Sequence, residues 1–132
     1  MGAKVIELPV EAAEVEEPGG YARLVDEGIL RRQREGLTPV VAASDVVIST
    51  AAVPGRAAPV LITADMLARM ARGSVIVDVA ADRGGNCAVT RQNETVVHGG
   101  VTVLGPTNLP STVPIHASQM YGSNAMNFLS HL

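Results

Sequence analysis

The stretch SDVVISTAAVPGRAAPVLITADMLARMARGSVIVDVAADRGGN, residues 44–86, decides the fold. It opens on a short apolar run, Val46 to Ile48, which leads into a loop with two prolines and a glycine. A helical segment follows, and a second apolar run, Val75 to Val77, ends at Asp78. Strand, loop, helix and strand within about thirty-five residues are typical of one right-handed crossover unit. The sequence therefore predicts an α/β domain with a parallel sheet.

The two apolar runs are continuous and β-branched rather than alternating. This pattern is typical of strands that are buried on both faces of a parallel sheet, so we expect both faces to be covered. Ligands of such sheets bind beyond the carboxyl ends of the strands. Here those ends carry residues 50–55 and 79–86, which are mostly small. They predict an edge where a ligand can approach the backbone.

Composition and charge exclude several classes of protein. Hydrophobic residues make up 47% of the 132 residues, enough for the core of one domain or of a piece of one. The net charge of −3, without a basic cluster, argues against a nucleic-acid partner. No apolar run reaches the roughly eighteen residues of a membrane span, and no signal peptide is visible. A single cysteine, Cys87, fits a reducing compartment, so we expect a cytoplasmic protein.

The residues before the crossover unit suggest three elements. Lys4 to Leu8 resembles a short strand, and Glu11 to Gly20 is acidic and ends in Pro-Gly-Gly, as a surface loop does. A helix is predicted from Tyr21 to Glu35. Gly36 and Pro39 are expected to stop that helix.

The helix of the crossover unit has clear capping signals. Thr63 is a preferred N-cap residue, and Gly73 predicts the end of the helix because glycine readily adopts the left-handed conformation of a helix terminus. Met66, Leu67 and Met70 lie on one helical face, which we interpret as core filling.

The last third of the chain predicts a hairpin, a loop and a helix. Residues 94–98 and 101–104 flank Gly99-Gly100, a two-residue link typical of a tight hairpin. Residues 105–114 form a loop that three prolines stiffen. Residues 117–132 have helical spacing and few charges, so we expect this terminal helix to pack against another part of the protein.

The side chains that could bind a ligand or take part in a reaction leave several interpretations open. Asp78 ends a strand, where its carboxylate could bind ligand hydroxyls, cap a turn or pair with Arg83. The three histidines lack the spacing of a metal site, and no Cys-His pattern supports Cys87 as a nucleophile. The chain contains no G-x-G-x-x-G phosphate loop.

Four segments resemble one family closely, the NAD(H)-binding component (alpha subunit) of proton-translocating NAD(P) transhydrogenase. The segments are DVVISTAAVPGRAAPVLIT (45–63), GSVIVDVAADRGGNC (73–87), GVTVLGPTNLPS (100–111) and SQMYGSNAMNFL (118–129). GAKVIEL and GGYA near the start match the same family. Alanine dehydrogenase shares the V-P-G and G-S-V-I-V-D stretches, but it usually has Gly-Gly-Cys where this chain has Gly-Gly-Asn-Cys, and its terminal region differs.

The resemblance implies a partial Rossmann-type, doubly wound domain over residues 1–132: the second half of the sheet plus the C-terminal helix. It implies NAD(H) as the cofactor, with direct hydride transfer to NADP on a second component. In the full enzyme this transfer is coupled to proton movement through a membrane component. The resemblance also implies a homodimer of the full-length parent, peripheral to the inner membrane through its partner subunits.

Two groups of cofactor-binding residues follow from the resemblance. A mobile loop over about residues 9–20 leads to a tyrosine that closes over the nucleotide, and a T-A-L-I-P-G segment lines the pocket. The matching positions are Gly20, Tyr21, Ala22, Thr50, Ala51, Ala52 and Val53. Ala52 replaces the usual Leu, which removes apolar contact area, and Thr112 replaces an Arg, which removes any ionic contact made there. The resemblance assigns no catalytic or metal-binding residue to the chain.

Several parts of the family have no counterpart in this sequence. The glycine-rich turn, the acidic residue after the next strand, the N-terminal domain with its Arg-Gln-Asp loop and the membrane segments are all absent. We therefore expect a piece of the alpha subunit. A non-catalytic remnant or partner-binding module, and an alanine dehydrogenase-like oxidoreductase, are the two alternatives.

Overall fold

The structure is a computed structural model that describes Val5, Ile6 and residues 27–132. The helices are α1 (Glu27–Ala42), α2 (Ala64–Leu67) and α3 (Pro114–Leu129). The strands are β1 (Val46–Ser49), β2 (Val75–Asp78), β3 (Thr95–His98) and β4 (Val101–Leu104). Two short 3-10 turns cover Ala81–Arg83 and Leu109–Thr112.

The four strands form one sheet in the order β1-β2-β4-β3. β1, β2 and β4 are mutually parallel, and β3 is antiparallel to β4. This confirms the predicted parallel strands and the hairpin. Gly99 and Gly100 both have positive φ, 61° and 89°, as a two-residue hairpin turn requires. The parallel part matches the last three strands of a doubly wound sheet, and no described strand pairs with the outer edge of β1.

Helices α1 and α2 cover one face of this sheet. The central strands place Ile76, Val101 and Val103 there, all with no exposed surface. The buried hydrophobic cluster consists of Val41, Ile62, Met66, Leu67, Met70, Ile76, Cys87, Val101 and Val103. Thr63 caps α2 as predicted, since its side chain accepts a hydrogen bond from the backbone N–H of Met66 at 3.4 Å. The predicted methionine and leucine face of α2 is therefore part of the core.

The other face of the sheet is open, which differs from the expectation that both faces are buried. Val46 and Ile48 of β1 are 59% and 67% exposed, and Val97 of β3 is 68% exposed. A strand of this type is buried on both faces only where helices cover both sides. In residues 27–132 the helices cover one side only, so the prediction is wrong for the part of the chain that the structure describes.

Helix α1 continues through Gly36 and Pro39, where the sequence predicted a stop. Leu37 and Val41, on either side of Pro39, pack into the core, and Val41 is only 4% exposed. A proline inside a helix costs about 3 kcal/mol. Full burial of a side chain such as Val41 contributes roughly 1.5–3 kcal/mol, and the partly buried Leu37 adds to it, which together offset that cost. The predicted start at Tyr21 lies outside the described residues.

Two further helix predictions need correction. Helix α2 ends at Leu67, well before Gly73, although Gly73 has the expected positive φ of 91°. Helix α3 begins at Pro114, and none of its residues is buried. Its main neighbour is the turn Leu109–Thr112, so the expected packing of this helix is not found among the described residues.

The remaining predictions concern the start of the chain and the membrane. Val5 and Ile6 are not in a strand, and the rest of the predicted strand Lys4 to Leu8 and the loop Glu11 to Gly20 lie outside the described residues. Within residues 27–132, no helix combines the length and the apolar composition that a membrane crossing requires.

Candidate cofactor-binding site

The three parallel strands end at the same edge of the sheet. Residues 50–53 follow β1, residues 79–86 follow β2, and residues 105–113 follow β4. Thr50 and Ala52 are exposed at this edge, while Ala51 and Val53 are half-buried. Thr50 to Val53, one of the two predicted groups of cofactor-binding residues, therefore lie where ligands of parallel sheets bind. The other group, Gly20 to Ala22, lies outside the described residues.

A tight turn shapes the loop after β1. The backbone N–H of Arg56 donates to the carbonyl of Val53 at 3.2 Å, and Pro54 and Gly55 are the two central residues. Gly55 has φ +72°, which is the left-handed conformation at the third position of a type II turn. Glycine is required there because a β-carbon would strain this conformation.

Asn86 fastens this loop to the segment that follows β2. Both of its amide hydrogens are used, since Nδ2 donates to the carbonyls of Ala51 and Pro59, each at 2.8 Å. Its backbone carbonyl accepts from the N–H groups of Leu61 and Ile62 at 2.8 and 2.9 Å. Asn86 has no exposed surface. Its side chain therefore fixes the position of Ala51, one of the predicted cofactor-binding residues.

Asp78 in turn fixes Asn86. Its Oδ2 accepts from the backbone N–H groups of Asn86 and Cys87 at 2.7 and 2.9 Å and from the hydroxyl of Thr90 at 2.6 Å. Its Oδ1 accepts from the backbone N–H of Ala80 at 3.2 Å. A carboxylate that receives several such bonds organises the loop around it.

The three interpretations of Asp78 are thereby decided. Asp78 has no exposed surface, so its carboxylate cannot reach ligand hydroxyls at the sheet edge. Arg83 is exposed, and its backbone carbonyl accepts from the N–H of Ala58 at 2.8 Å. Among the described contacts Asp78 binds only to N–H groups and a hydroxyl, so it caps the loop.

The Gly-Gly-Asn-Cys segment has little room for other side chains. A β-carbon at Gly85 would lie 2.7 Å from Asp78 Oδ2 and 2.8 Å from Thr90 Cβ. Cys87 is buried and lies opposite Ile62 in an isolated parallel bridge. Burial raises the pKa of the Cys87 thiol, which agrees with the interpretation that it is not a nucleophile.

A small cleft lies beyond β2 and β4. Its volume is about 180 Å³, and it is lined by Val79, Asp82 and residues 106–110. Asn93 holds this loop, since its Oδ1 accepts from the N–H of Thr107 at 3.2 Å and from the Thr107 hydroxyl. Small-molecule sites usually measure about 300–1,000 Å³, so this cleft has room for only part of a dinucleotide. The part of the chain that the structure describes contains no cluster of His, Cys, Asp or Glu able to hold a metal ion.

Sequence reasoning missed the roles of Asn86 and Asn93. Asn86 follows two glycines in the loop after β2, but its side-chain partners Ala51 and Pro59 are distant in the chain, so no local pattern indicated them. Asn93 also has a positive φ of 59°, a conformation that asparagine tolerates better than most residues.

A parallel crossover sheet whose loops gather at the carboxyl edge defines the Rossmann-like α/β class of nucleotide-binding domains. Comparison with known proteins identifies the family within that class. The sequence profile of the family described as "Alanine dehydrogenase/PNT, C-terminal domain" matches residues 1–132. The chain belongs to this family.

Its relatives include an NAD(P) transhydrogenase alpha-subunit chain from Rhodospirillum rubrum. The two sequences are 40% identical over 131 residues, which are 98% of this chain and 34% of the relative. The chain therefore spans about a third of the length of that relative. A solved structure, that of transhydrogenase from Sinorhizobium meliloti, is similar with 37% identity and a TM-score of 0.67 over 80% of this chain and 31% of that one. An L-alanine dehydrogenase structure is similar with 34% identity and a TM-score of 0.63 over 73% and 28%.

Proposed function

We propose that this chain supplies NAD(H)-binding residues to a transhydrogenase alpha subunit, for direct hydride transfer to NADP. The observation that carries the proposal is the position of Thr50 to Val53 at the carboxyl edge, held by the buried Asn86. The similarity to transhydrogenase alpha subunits supports it, because that match extends over nearly the whole chain.

The residues at the edge suit part of a dinucleotide. The exposed Thr50 hydroxyl can donate or accept a hydrogen bond, and the half-buried Ala51 and Val53 offer an apolar wall. Ala52 is small, so a ligand can approach the backbone there. NAD(H) supplies the hydride chemistry when it is bound, and these residues bind and orient it. We assign Tyr21, with Gly20 and Ala22, to the closing side of the same site.

The partners follow from the same proposal. The acceptor NADP is bound by a second component, and a membrane component couples the transfer to proton translocation. We place the assembly at the cytoplasmic side of the inner membrane and the alpha subunit in a homodimer. The described residues of this chain would serve only the NAD(H) side.

An alanine dehydrogenase-like oxidoreductase is the second candidate. The observation in its favour is that the L-alanine dehydrogenase structure is almost as similar as the transhydrogenase structure, with a TM-score of 0.63 against 0.67. A chimera decides between them, in which residues 1–132 replace the matching third of the Rhodospirillum rubrum relative. Hydride exchange between NADH and an NADP analogue supports our proposal. A chimera that folds without this exchange contradicts it, and pyruvate-dependent NADH oxidation would favour the second candidate.

NMR titration of the isolated chain with NADH tests the binding site itself. We expect amide shifts concentrated in residues 50–56 and 79–86, with a dissociation constant on the order of millimolar because the chain has no glycine-rich phosphate loop. Ala52→Asp should abolish the shifts by charge repulsion, whereas Ala71→Asp, the same change at an exposed position after α2, should leave them unchanged. Shifts elsewhere, or none, would favour the non-catalytic module.

A further inference from the structure

Two buried oxygen atoms at the carboxyl edge have no hydrogen-bond partner among the described residues. They are the hydroxyl oxygen of Ser49, the last residue of β1, and Oδ1 of Asn86. Another atom of this kind, the hydroxyl oxygen of Ser74, lies just before β2, at the other end of the sheet. Buried polar atoms nearly always have a partner, and where the protein provides none, an ordered water commonly takes that role.

Ser49 lies beside Asp78 on the helix-covered face of the sheet. The register of β1 and β2 pairs Ser49 with Asp78 and Val47 with Ile76. Val47 packs against the buried core, and alternate residues of a strand share a face, so the Ser49 side chain is on the same side. Ser49 and Asp78 are therefore neighbours on the covered face.

The side chain of Asn86 reaches the same place from the loop after β2. Its backbone N–H donates to Asp78 Oδ2 at 2.7 Å, and its Nδ2 donates at 2.8 Å to the carbonyl of Ala51, two residues beyond Ser49. The second Nδ2 hydrogen is used by Pro59, but Oδ1 accepts no hydrogen bond from the described residues. The amide group therefore lies across the end of β1, close to Ser49 and Asp78.

The hydrogen-bonding capacities of these three side chains complement those of one water molecule. The Ser49 hydroxyl can donate one hydrogen bond, and Asn86 Oδ1 can accept one. Asp78 Oδ1 accepts only from the N–H of Ala80, at 3.2 Å, whereas Oδ2 accepts three bonds, so Oδ1 can accept another. A water that accepts from Ser49 and donates to Asn86 and Asp78 makes about three bonds, which is typical of a buried water.

We propose that one ordered water molecule is bound between Ser49, Asn86 and Asp78. It joins the end of β1 to the network that holds the loop after β1. Water is favoured over a group of a larger ligand because Asn86 and Asp78 have no exposed surface. It is favoured over Ca²⁺ or Mg²⁺ because these ions take about six or more oxygen ligands, whereas the three side chains offer one free oxygen each. The site needs no bound nucleotide, so its test does not depend on the function proposed above.

A high-resolution crystal structure and ¹⁷O relaxation dispersion of water in solution together test the proposal. In the crystal we expect a density peak about 2.7–3.2 Å from Ser49 Oγ and Asn86 Oδ1. In solution, Ser49→Val should remove one long-lived water, because valine has one more non-hydrogen atom than serine and its methyl group takes the place of the water. Thr95→Val replaces a hydroxyl by a methyl group at an exposed strand position and should remove none. Far-UV circular dichroism checks that both variants fold.

Other results would overturn the proposal. A direct hydrogen bond between Ser49 and Asn86, or no density peak between them, would mean that no water is bound. A peak surrounded by oxygen atoms at about 2.3–2.6 Å would identify a cation instead. Equal numbers of long-lived waters in the wild type and Ser49→Val also contradict it. If Ser49→Val does not fold, the wild-type crystal structure alone decides.

Discussion

The two faces of the sheet differ although their residues are alike. Ile76 on the helix-covered face has no exposed surface, whereas Ile48, on the adjacent strand and the opposite face, is 67% exposed. Both belong to continuous β-branched runs. What separates them is the layer above: α1 and α2 cover the first face, and no described element covers the second. The strand sequence makes a residue suitable for burial, but the neighbouring layer decides whether it is buried.

The difference between the covered and the open face also matters at the carboxyl edge of the sheet. Asp78 follows Ile76 on the covered face, because alternate residues of a strand share a face. From there its carboxylate holds Asn86, and Asn86 holds Ala51 and Pro59. The candidate cofactor loop is therefore positioned from the covered side of the sheet. The comparison predicts that changes on this side reach the loop, whereas equal changes on the open face do not.

Replacing Asp78 should have the largest effect. In Asp78→Ala, three buried backbone N–H groups and the Thr90 hydroxyl lose their acceptor, and each unsatisfied donor costs about 1–3 kcal/mol. We expect a loss of roughly 4 kcal/mol in the free energy of unfolding, measured by urea denaturation. Asp82→Ala removes an exposed carboxylate nearby and should change it by less than about 0.5 kcal/mol. Equal effects would mean that the loop does not depend on Asp78.

Matched substitutions on the two faces test the comparison directly. Ile76→Ala creates a cavity in the core and should cost about 3 kcal/mol of unfolding free energy. Ile48→Ala should cost less than about 0.5 kcal/mol because its side chain is mostly solvated. If both changes cost about the same, another part of the chain covers the open face.

Local sequence signals predicted the strands because β-branched runs bounded by turn residues have few alternatives. They failed for α1, where the stop signals at Gly36 and Pro39 were outweighed by the packing of Leu37 and Val41. They failed for the open face because a strand's sequence does not show which layers surround it. In both cases the deciding contact is with another element, which periodicity along the chain does not report.

The candidate site, too, could be predicted only in part from the sequence. The position of Thr50 to Val53 followed from strand order alone, since parallel strands end at one edge. The role of Asn86 did not, because its partners Ala51 and Pro59 are 35 and 27 residues away in the chain. Neither composition nor spacing pairs residues at such separations. Only the fold brings them together.

Gly85 and Gly84 form a matched pair that isolates packing from backbone conformation. Both have positive φ, 85° and 96°, so alanine is strained at either position by roughly 1 kcal/mol. A β-carbon meets nothing within 4 Å at Gly84, but at Gly85 it meets Asp78 Oδ2 at 2.7 Å. We expect Gly85→Ala to cost about 2 kcal/mol more than Gly84→Ala in urea denaturation. Similar costs would show that the Asp78 loop can shift to admit a methyl group.

The smallest expected effect is the pH dependence of the unfolding free energy that Cys87 causes. It tests whether the helix-covered face of the sheet excludes water. Burial raises the pKa of its thiol in the folded chain, so above about pH 8.5, the usual thiol pKa, the unfolded chain ionises first. Ionisation then stabilises the unfolded state. The buried neutral thiol contributes its full stabilisation below that pH, and this contribution is lost as the pH rises towards the pKa of the folded chain. The difference in the free energy of unfolding between the wild type and Cys87→Ala should shrink as the pH rises from about 8 to about 10. Other groups that titrate in this range are common to both proteins and cancel in the difference. A difference that does not change with pH would mean that water reaches the thiol and that the covered face is looser than its burial indicates.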